Sequence, residues 1–218
     1  MPLYENIRTV FTVHNVKFQG QYSDFVLEDI LGLSGVPAAR DQLYIEDKTI
    51  NYKKGALCYS DALTTVSPTY AKEIMDPWFS HKLDPILRER SWKLSGILNG
   101  IDTVSYDPMN DPFIGYTYSS ANIRGKRWCK RALQKKLELP QTDAPMLTMI
   151  SRLVAPKGVD IIAMIMDYLL DNYDMQFVML GTGDEKYENY FRDLQYRYPE
   201  KVRSLIEFNT RTAHEIYA

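Results

Sequence analysis

Three short polar segments, each lying where an apolar run ends, contain the residue types best suited to ligand chemistry. They are residues 12–15 (Thr-Val-His-Asn), residues 97–102 (Ile-Leu-Asn-Gly-Ile-Asp) and residues 151–158, which begin Ser-Arg-Leu and end Lys-Gly. Open α/β sheets present ligand sites at such points, beyond the carboxyl ends of their strands. Arg152 and Lys157, with neighbouring backbone N–H groups, suit the charges of a diphosphate.

The first two segments offer uncharged polar side chains. His14, Asn15 and Asn99 can hydrogen-bond hydroxyl-rich groups such as those of a sugar, and Gln19-Gly20 follows shortly after His14. Plainer explanations exist, because a lone histidine is more often structural and Asn99-Gly100 is typical of a type I′ turn. All these groups nevertheless follow strands at corresponding edges of two α/β halves. The combined pattern predicts a sugar-nucleotide site.

Arg152 and Lys157 lie on the turn after one predicted strand and at the start of the next helix. The dipole and free N–H groups of a helix N-terminus favour phosphate oxygens there, and the two cations would neutralise separate charges. Two solvated surface cations are the plainer alternative.

A second turn, residues 181–184 (Gly-Thr-Gly-Asp), could let the backbone approach a nucleotide. A dinucleotide fingerprint would need a third glycine where Lys186 stands. A tight strand-to-helix turn is therefore an alternative, and a nicotinamide-binding dehydrogenase is disfavoured.

Composition narrows the class of protein. The chain has 218 residues, of which 45% are apolar and 25% charged, with a formal charge of −2. These values are ordinary for a globular protein of one or two domains. So small a charge gives no broad attraction for nucleic acid or an acidic membrane, so we expect neither as a partner. The oligomeric state is left open.

Cysteine usage and hydropathy predict a cytoplasmic location. Cys58 and Cys129 are the only cysteines, which gives neither a disulfide framework nor a zinc ligand set, and we expect two buried free thiols and no bound metal. There is no apolar run of the ~20 residues needed to cross a bilayer, and the N-terminus lacks a signal-peptide pattern.

Hydrophobic periodicity predicts α/β structure in the first half. We expect strands at 9–13 and 62–66, an irregular connection over 24–47, a helix over 51–60 and a helix that begins at Ser67-Pro68. In the helix over 51–60, Lys53, Lys54 and Tyr59 are expected to face outward, with Leu57 and Cys58 inward.

Turn-rich sequence over 102–122 predicts a domain boundary, which we place between residues 106 and 107. A helix over 122–137 follows, in which seven cations are taken as a solvated face rather than a polyanion site. Its expected apolar stripe comprises Trp128, Cys129, Ala132, Leu133 and Leu137. A βαβαβ alternation completes the chain, with strands at 146–150, 176–180 and about 205–208 and helices at 159–170 and 185–196.

The segments already described, with Lys54-Gly55 and residues 65–71 (Thr-Val-Ser-Pro-Thr-Tyr-Ala), resemble the bacterial glycogen synthase and plant starch synthase family over almost the whole chain. The resemblance implies a GT-B fold, with residues 1–106 from the acceptor-side Rossmann-like domain and 107–218 from the nucleotide-binding one. It also implies transfer of glucose from ADP-glucose, or sometimes UDP-glucose, to an α-1,4-glucan, with retained configuration and no essential metal or cofactor. The location would be the cytoplasm, or the plastid in a plant.

By this resemblance, Arg152 and Lys157 would stabilise the departing diphosphate and His14 would contact the glucosyl unit, these three being the catalytic set. Phe208 would lie near the adenine and Asn99 in the sugar pocket. The full expected substrate-binding set is Asn15, Asn99, Gly100, Asp102, Gly181, Gly183, Asp184 and Phe208.

The sequence also departs from the family pattern. A Lys-x-Gly-Gly loop and a Glu-Pro-Cys-Gly-type loop are not in these 218 residues, and Pro156 stands where the family often has glutamine. We therefore expect an internal fragment that is inactive by itself and prone to self-association. Alternatives are another GT-B enzyme of the sucrose or trehalose type, and a noncatalytic glucan-binding module that uses some of the 16 Tyr and 3 Trp.

Overall fold

The computed structural model describes residues 4–46 and 48–218, and Asp47, the expected end of the first connection, lies outside them. The chain divides into two compact units, residues 1–100 and residues 101–218. The division falls just before the irregular segment 102–122 rather than at the boundary after residue 106 expected from sequence.

A three-stranded parallel sheet forms the centre of the first unit. Its order is β1 (Val10–Val13), β5 (Ala62–Thr65) and β6 (Leu94–Gly96). Val13 pairs with Thr65, and Thr65 pairs with Gly96, so all three strands end at one edge. The segments that begin at His14 and Ile97 therefore leave the sheet from the same edge.

Helices α3 (Tyr52–Tyr59), α4 (Pro68–Glu73) and α5 (Asp84–Glu89) pack with this sheet. Helix α4 begins as predicted, because the Ser67 side chain accepts a hydrogen bond from the Tyr70 backbone N–H and Pro68 opens the first turn. Leu57 of α3 and Leu87 of α5 pack with Leu63 and Val13 in one apolar cluster.

The prediction of an irregular connection over 24–47 is wrong. This region contains α1 (Phe25–Asp29), α2 (Pro37–Leu43) and β3 (Tyr44–Glu46), and β3 joins β2 (Gln21–Ser23) and β4 (Thr49–Asn51) in an antiparallel sheet of order β2-β4-β3. The helices are too short to show a clear sequence period. Long-range burial stabilises them instead, since Val26, Leu27, Ala39 and Leu43 pack around Ile50.

The second unit has the predicted βαβαβ order. Its parallel sheet runs β7 (Met146–Ile150), β8 (Gln176–Leu180) and β9 (Val202–Leu205). Side chains of β8 alternate, so Phe177 and Met179 pack toward α7 (Val159–Asn172) and α8 (Glu185–Arg197). Val178 and Leu180 join the cluster that contains residues of α6 (Arg124–Lys136) and α9 (Thr210–Tyr217). Helices thus cover both faces.

Two details of this unit differ from the prediction. Strand β9 ends at Leu205, three residues before Phe208, because pairing of Val202 with Phe177 sets its register. In α6, Trp128 and Ala132 are exposed, and Gln134 is buried instead. The Gln134 amide donates to Thr142 O at 2.9 Å and to Gln176 Oε1 at 2.8 Å, which satisfies its donors inside the protein.

Candidate functional site

The loop after β1 carries His14 and Asn15, and both side chains are exposed. Its backbone is tied to the unit by side chains from other elements. The Tyr70 hydroxyl accepts from Val16 N–H at 3.0 Å, and the Thr65 hydroxyl donates to Val13 O at 2.6 Å. The loop therefore holds His14 at the carboxyl edge of the first sheet.

Lys53 was expected to face outward, and this prediction is wrong. It is 9% exposed rather than outward, and its Nζ donates to the backbone oxygen of Asn15. Burial lowers the pKa of Lys53 from its ordinary value. The signal was present in the sequence, because Lys53 lies four residues before Leu57 and so shares its helix face.

Gln19 was expected to offer hydrogen-bonding groups at the rim, but its side chain is buried and already partnered. Its amide donates to His81 O at 2.9 Å, and its Oε1 accepts from Asn51 Nδ2 at 2.6 Å and from Gln21 Nε2 at 3.0 Å. Gln19 thus fixes the loop and is not presented to a ligand.

Residues 97–102 have no helix or strand, and Asn99 and Gly100 are exposed. A type I′ turn is wrong for this pair, since both central residues would need positive φ and neither has it. Asp102 lies in the second unit, where its carboxylate accepts from Ser105 Oγ at 2.6 Å and from Ser105 and Val104 N–H. The Ser105 hydroxyl bond, then these backbone bonds, lower the pKa of Asp102.

In the second unit, the turns after β7 and β8 are bonded to each other. Leu153 N–H donates to Thr182 O at 2.9 Å, and Asp184 N–H donates to Leu153 O at 2.8 Å. A Cβ on Gly181 would lie 1.8 Å from Ser151 O, and one on Gly183 would lie 2.2 Å from Leu153 O. Both glycines are therefore required by this close approach, which favours the tight-turn explanation for their presence.

A cavity of about 260 Å³ opens where these two turns meet the segment after β9. Its wall combines a cation, a carboxylate, backbone from both turns and aromatic rings, and it includes Tyr106, Ser151, Arg152, Gly181, Thr182, Glu207, Phe208, Asn209, Thr210 and Tyr217. Three of the expected site residues thus come together here, namely Arg152, Gly181 and Phe208. Phe208 is 93% exposed, which leaves its ring available for contact with a ligand.

The remaining expected residues of this unit lie elsewhere. Lys157, Gly183 and Asp184 are outside the set of described residues that line the cavity. Lys157 ends a short 3-10 turn directly before α7 and is exposed. The Gly183 N–H donates to Glu188 Oε1 at 3.0 Å, and Asp184 is the N-cap residue of α8.

Sequence reasoning did not single out Tyr106, Asn209, Thr210 or Tyr217, although all four line the cavity. Asn209 could have been noticed in the sequence, because asparagine is a preferred residue at the N-terminus of a helix. In the structure its side chain caps α9 by accepting from Thr212 N–H at 3.0 Å. Tyr106 lies in a turn-rich segment, and only contacts far along the chain bring it here.

Residues 4–46 and 48–218 contain no group of three or more His, Cys, Asp or Glu side chains arranged to hold a metal ion. Cys129 is buried and Cys58 is half-buried, so the expectation of two buried thiols is wrong for Cys58. Burial raises the pKa of both thiols. Among the same residues, no helix is both long and apolar enough to span a bilayer.

Comparison with known proteins shows a similarity to glycogen and starch synthases. Residues 1–89 match the model of the starch synthase catalytic domain. The chain is 40% identical over 218 residues to a glycogen synthase of Bacillus licheniformis and 41% identical over 215 residues to one of Lactiplantibacillus plantarum. The two alignments cover 100% and 99% of this chain, respectively. The chain spans 45% of the length of each relative.

A solved structure supports the same relationship. The catalytic domain of Starch Synthase IV from Arabidopsis thaliana, bound to ADP and acarbose, is similar with a TM-score of 0.85 and 33% identity. The match covers 99% of this chain and 47% of that one. The predicted α/β class of GT-B type, with parallel sheets, is confirmed. Over nearly its whole length the chain is similar to bacterial glycogen synthases and to a plant starch synthase.

Proposed function

We propose that the protein carrying this chain transfers glucose from ADP-glucose to the non-reducing end of an α-1,4-glucan, with retention of configuration. The cavity beside Arg152 is the observation that carries the proposal. It brings a cation and the exposed ring of Phe208 together at the carboxyl ends of β7 and β8, where open α/β sheets bind nucleotides.

Arg152 and Lys157 would act on the leaving diphosphate, where negative charge develops during the reaction. Cleavage of the donor leaves negative charge on the β-phosphate, and fixed cations there stabilise the transition state more than the ground state. His14 and Asn99 would contact the glucosyl unit, with Asn15, Gly100 and Asp102 in the same sugar-facing set. Gly183 and Asp184 would support the turn rather than touch the nucleotide.

ADP-glucose is proposed over UDP-glucose because the Arabidopsis structure holds ADP. The acarbose in that structure supports an α-glucan as the acceptor. We propose the cytoplasm as the location, or the plastid in a plant. The proposed acceptor-side and nucleotide-side domains correspond to the two compact units, residues 1–100 and residues 101–218, rather than to the boundary after residue 106 expected from sequence.

Calorimetry on the 218-residue chain tests the nucleotide part of the proposal. ADP should bind more tightly than UDP, and Arg152→Ala should weaken ADP binding at least tenfold. Arg127→Ala is the matched control, because Arg127 is an exposed cation of the same unit that pairs with Asp143. Equal ADP affinity in the Arg152→Ala variant and the unsubstituted chain would contradict the proposal.

A transfer assay tests the chemistry. Radiolabelled ADP-glucose is offered with a glycogen primer to the protein that carries this chain. We expect Arg152→Ala to lower the incorporation of label about a hundredfold or more, because such a group is worth roughly 2.7–4 kcal/mol in the transition state. If label is incorporated from UDP-glucose and not from ADP-glucose, the donor is UDP-glucose and this part of the proposal is wrong.

A noncatalytic glucan-binding module is the second candidate, and one observation favours it. A cavity of about 1030 Å³ in the first unit is lined by Phe18, Tyr22, Gln21 and His81 among others. Phe18 and Tyr22 are 73% and 51% exposed, and such rings can stack on sugar faces. Glycogen affinity electrophoresis separates the two functions: retardation lost in Phe18→Ala, with no transfer by the unsubstituted protein, would favour binding alone.

A further inference from the structure

The ring of Tyr106 lies between a buried side chain and the cavity that contains Arg152. It stacks on the imidazole of His214 with ring centroids 4.4 Å apart and planes 11° apart. The Tyr217 ring meets it edge-on at 6.0 Å. Tyr106 is 47% exposed and lines the cavity. His214 thus covers one face of the ring, while part of the Tyr106 side chain borders the cavity.

His214 is held by a buried partner. Its Nδ1 lies 2.6 Å from Asp111 Oδ2, and the two side chains are only 4% and 7% exposed. The Phe113 ring packs edge-on against the same imidazole at 5.1 Å. Two polar groups buried this deeply are tolerated when each satisfies the other. The pair fixes the plane of the His214 ring and therefore the surface on which Tyr106 rests.

This arrangement joins distant parts of the chain. Asp111 belongs to the irregular segment 102–122, whereas His214 is on α9. The backbone of Tyr106 makes a turn bond of 3.2 Å from its N–H to Asp102 O, and its ring is held at the cavity by its contacts with His214 and Tyr217. The Asp111–His214 pair thus anchors the segment that carries Tyr106.

We infer that Tyr106 is a nucleobase-binding residue that, with Phe208, forms the aromatic part of the nucleotide cavity. Asp111 and His214 are positioning residues that act through Tyr106. The cavity has a cation for phosphate and aromatic rings for a flat base, which matches the two chemical ends of a nucleotide. The inference rests on the proposed function, because it assigns a role within the same nucleotide site.

The test compares two ligands by calorimetry on the 218-residue chain: ADP, and inorganic pyrophosphate as a probe without a base. Tyr106→Ala should bind ADP about tenfold more weakly, the lower range of base–aromatic stacking. Pyrophosphate affinity should stay unchanged, and Tyr106→Phe should restore ADP binding. Unchanged ADP affinity in Tyr106→Ala would overturn the assignment, as would an equal loss of pyrophosphate affinity.

A double-mutant cycle tests the positioning role. Asp111→Asn should weaken ADP binding selectively, and adding it to Tyr106→Ala should cause no further loss, since Asp111 acts through the ring. His214→Phe, which keeps an aromatic surface for Tyr106, should lose less affinity than His214→Ala. Additive losses in the cycle would overturn the positioning role.

The outcomes separate this inference from the proposed function. If Arg152→Ala abolishes ADP binding while Tyr106→Ala leaves it intact, the nucleotide site stands and the role of Tyr106 is wrong. If the unsubstituted chain binds pyrophosphate and ADP equally, the base makes no contribution and the inference is wrong. If the chain binds neither ligand, both proposals are overturned.

Discussion

Lys53 Nζ donates a hydrogen bond to the backbone oxygen of Asn15, the residue directly after His14. A buried lysine on α3 thereby fixes the loop that presents His14 at the edge of the first sheet. The contact connects the interior of the unit to the sugar-facing part of the proposed site.

Replacing Lys53 should loosen this loop without unfolding the unit. Lys53→Met keeps the length and apolar character of the stem but leaves Asn15 O without its donor. We expect faster hydrogen exchange at the Val16 and Lys17 amides and unchanged exchange in β5, measured by NMR or mass spectrometry. Lys72→Met, an exposed lysine on α4, is the control. Equal protection of residues 14–18 in Lys53→Met and the unsubstituted chain would show that the bond does not hold the loop.

The lowered pKa of Lys53 predicts a pH dependence of stability. Because burial places its folded pKa below the unfolded value near 10.5, the folded state binds fewer protons in the interval between them. The contribution of Lys53 to the free energy of unfolding should therefore rise as pH increases through that interval and stay constant below it. Urea unfolding of the unsubstituted chain and Lys53→Met, between pH 7 and pH 10.5, measures the difference. A difference that does not change with pH would contradict the burial of a charged amine.

Some elements could be predicted closely from sequence. Strand β8 has the predicted bounds, because a parallel strand buried on both faces is a continuous apolar run. Helix α7 also begins at the predicted residue and runs two residues longer. The end of β9 was misplaced because strand pairing sets it, and local composition around Phe208 gives no sign of that register.

The site could be predicted in part. Arg152, Gly181 and Phe208 follow three successive strands, so parallel topology brings them to one edge. Tyr106 could not be found this way, because its ring contacts His214 and Tyr217, more than 100 residues further along the chain. The roles assigned to individual residues remain predictions.

Gly181 should tolerate no side chain. A Cβ there would approach Ser151 O to 1.8 Å, whereas a Cβ on Gly115 would meet no heavy atom within 4 Å. Gly181→Ala should lower the free energy of unfolding by about 1–3 kcal/mol, a typical cost of overpacking, and should weaken ADP binding because the Arg152 turn must move. Gly115→Ala should change neither the free energy of unfolding nor that of ADP binding by more than about 0.5 kcal/mol. Equal stability of the two variants in urea would mean that the turns after β7 and β8 are not in contact.

Arg152 and Lys157 should differ in their effects on binding. Arg152 lines the cavity with Phe208, whereas Lys157 lies outside the lining residues. We expect Arg152→Ala to weaken ADP binding more than Lys157→Ala when both are titrated by calorimetry. In the transfer assay, however, Lys157→Ala should also lose kcat, because a cation at the start of α7 can act on the leaving diphosphate. Normal kcat in Lys157→Ala would remove it from the catalytic set.

His14 should matter for transfer and not for nucleotide affinity. It belongs to the first unit and leaves the sheet at the edge shared with Ile97, whereas the cavity with Arg152 belongs to the second unit. In the protein that carries this chain, His14→Ala should fold normally and bind ADP as before, while kcat for glucosyl transfer falls at least a hundredfold because a contact to the reacting sugar is lost. Arg8→Ala, an exposed residue just before β1, should change neither quantity. Calorimetry with ADP beside the radiolabel assay gives both readouts, and loss of ADP binding in a folded His14→Ala variant would place His14 on the nucleotide rather than the sugar.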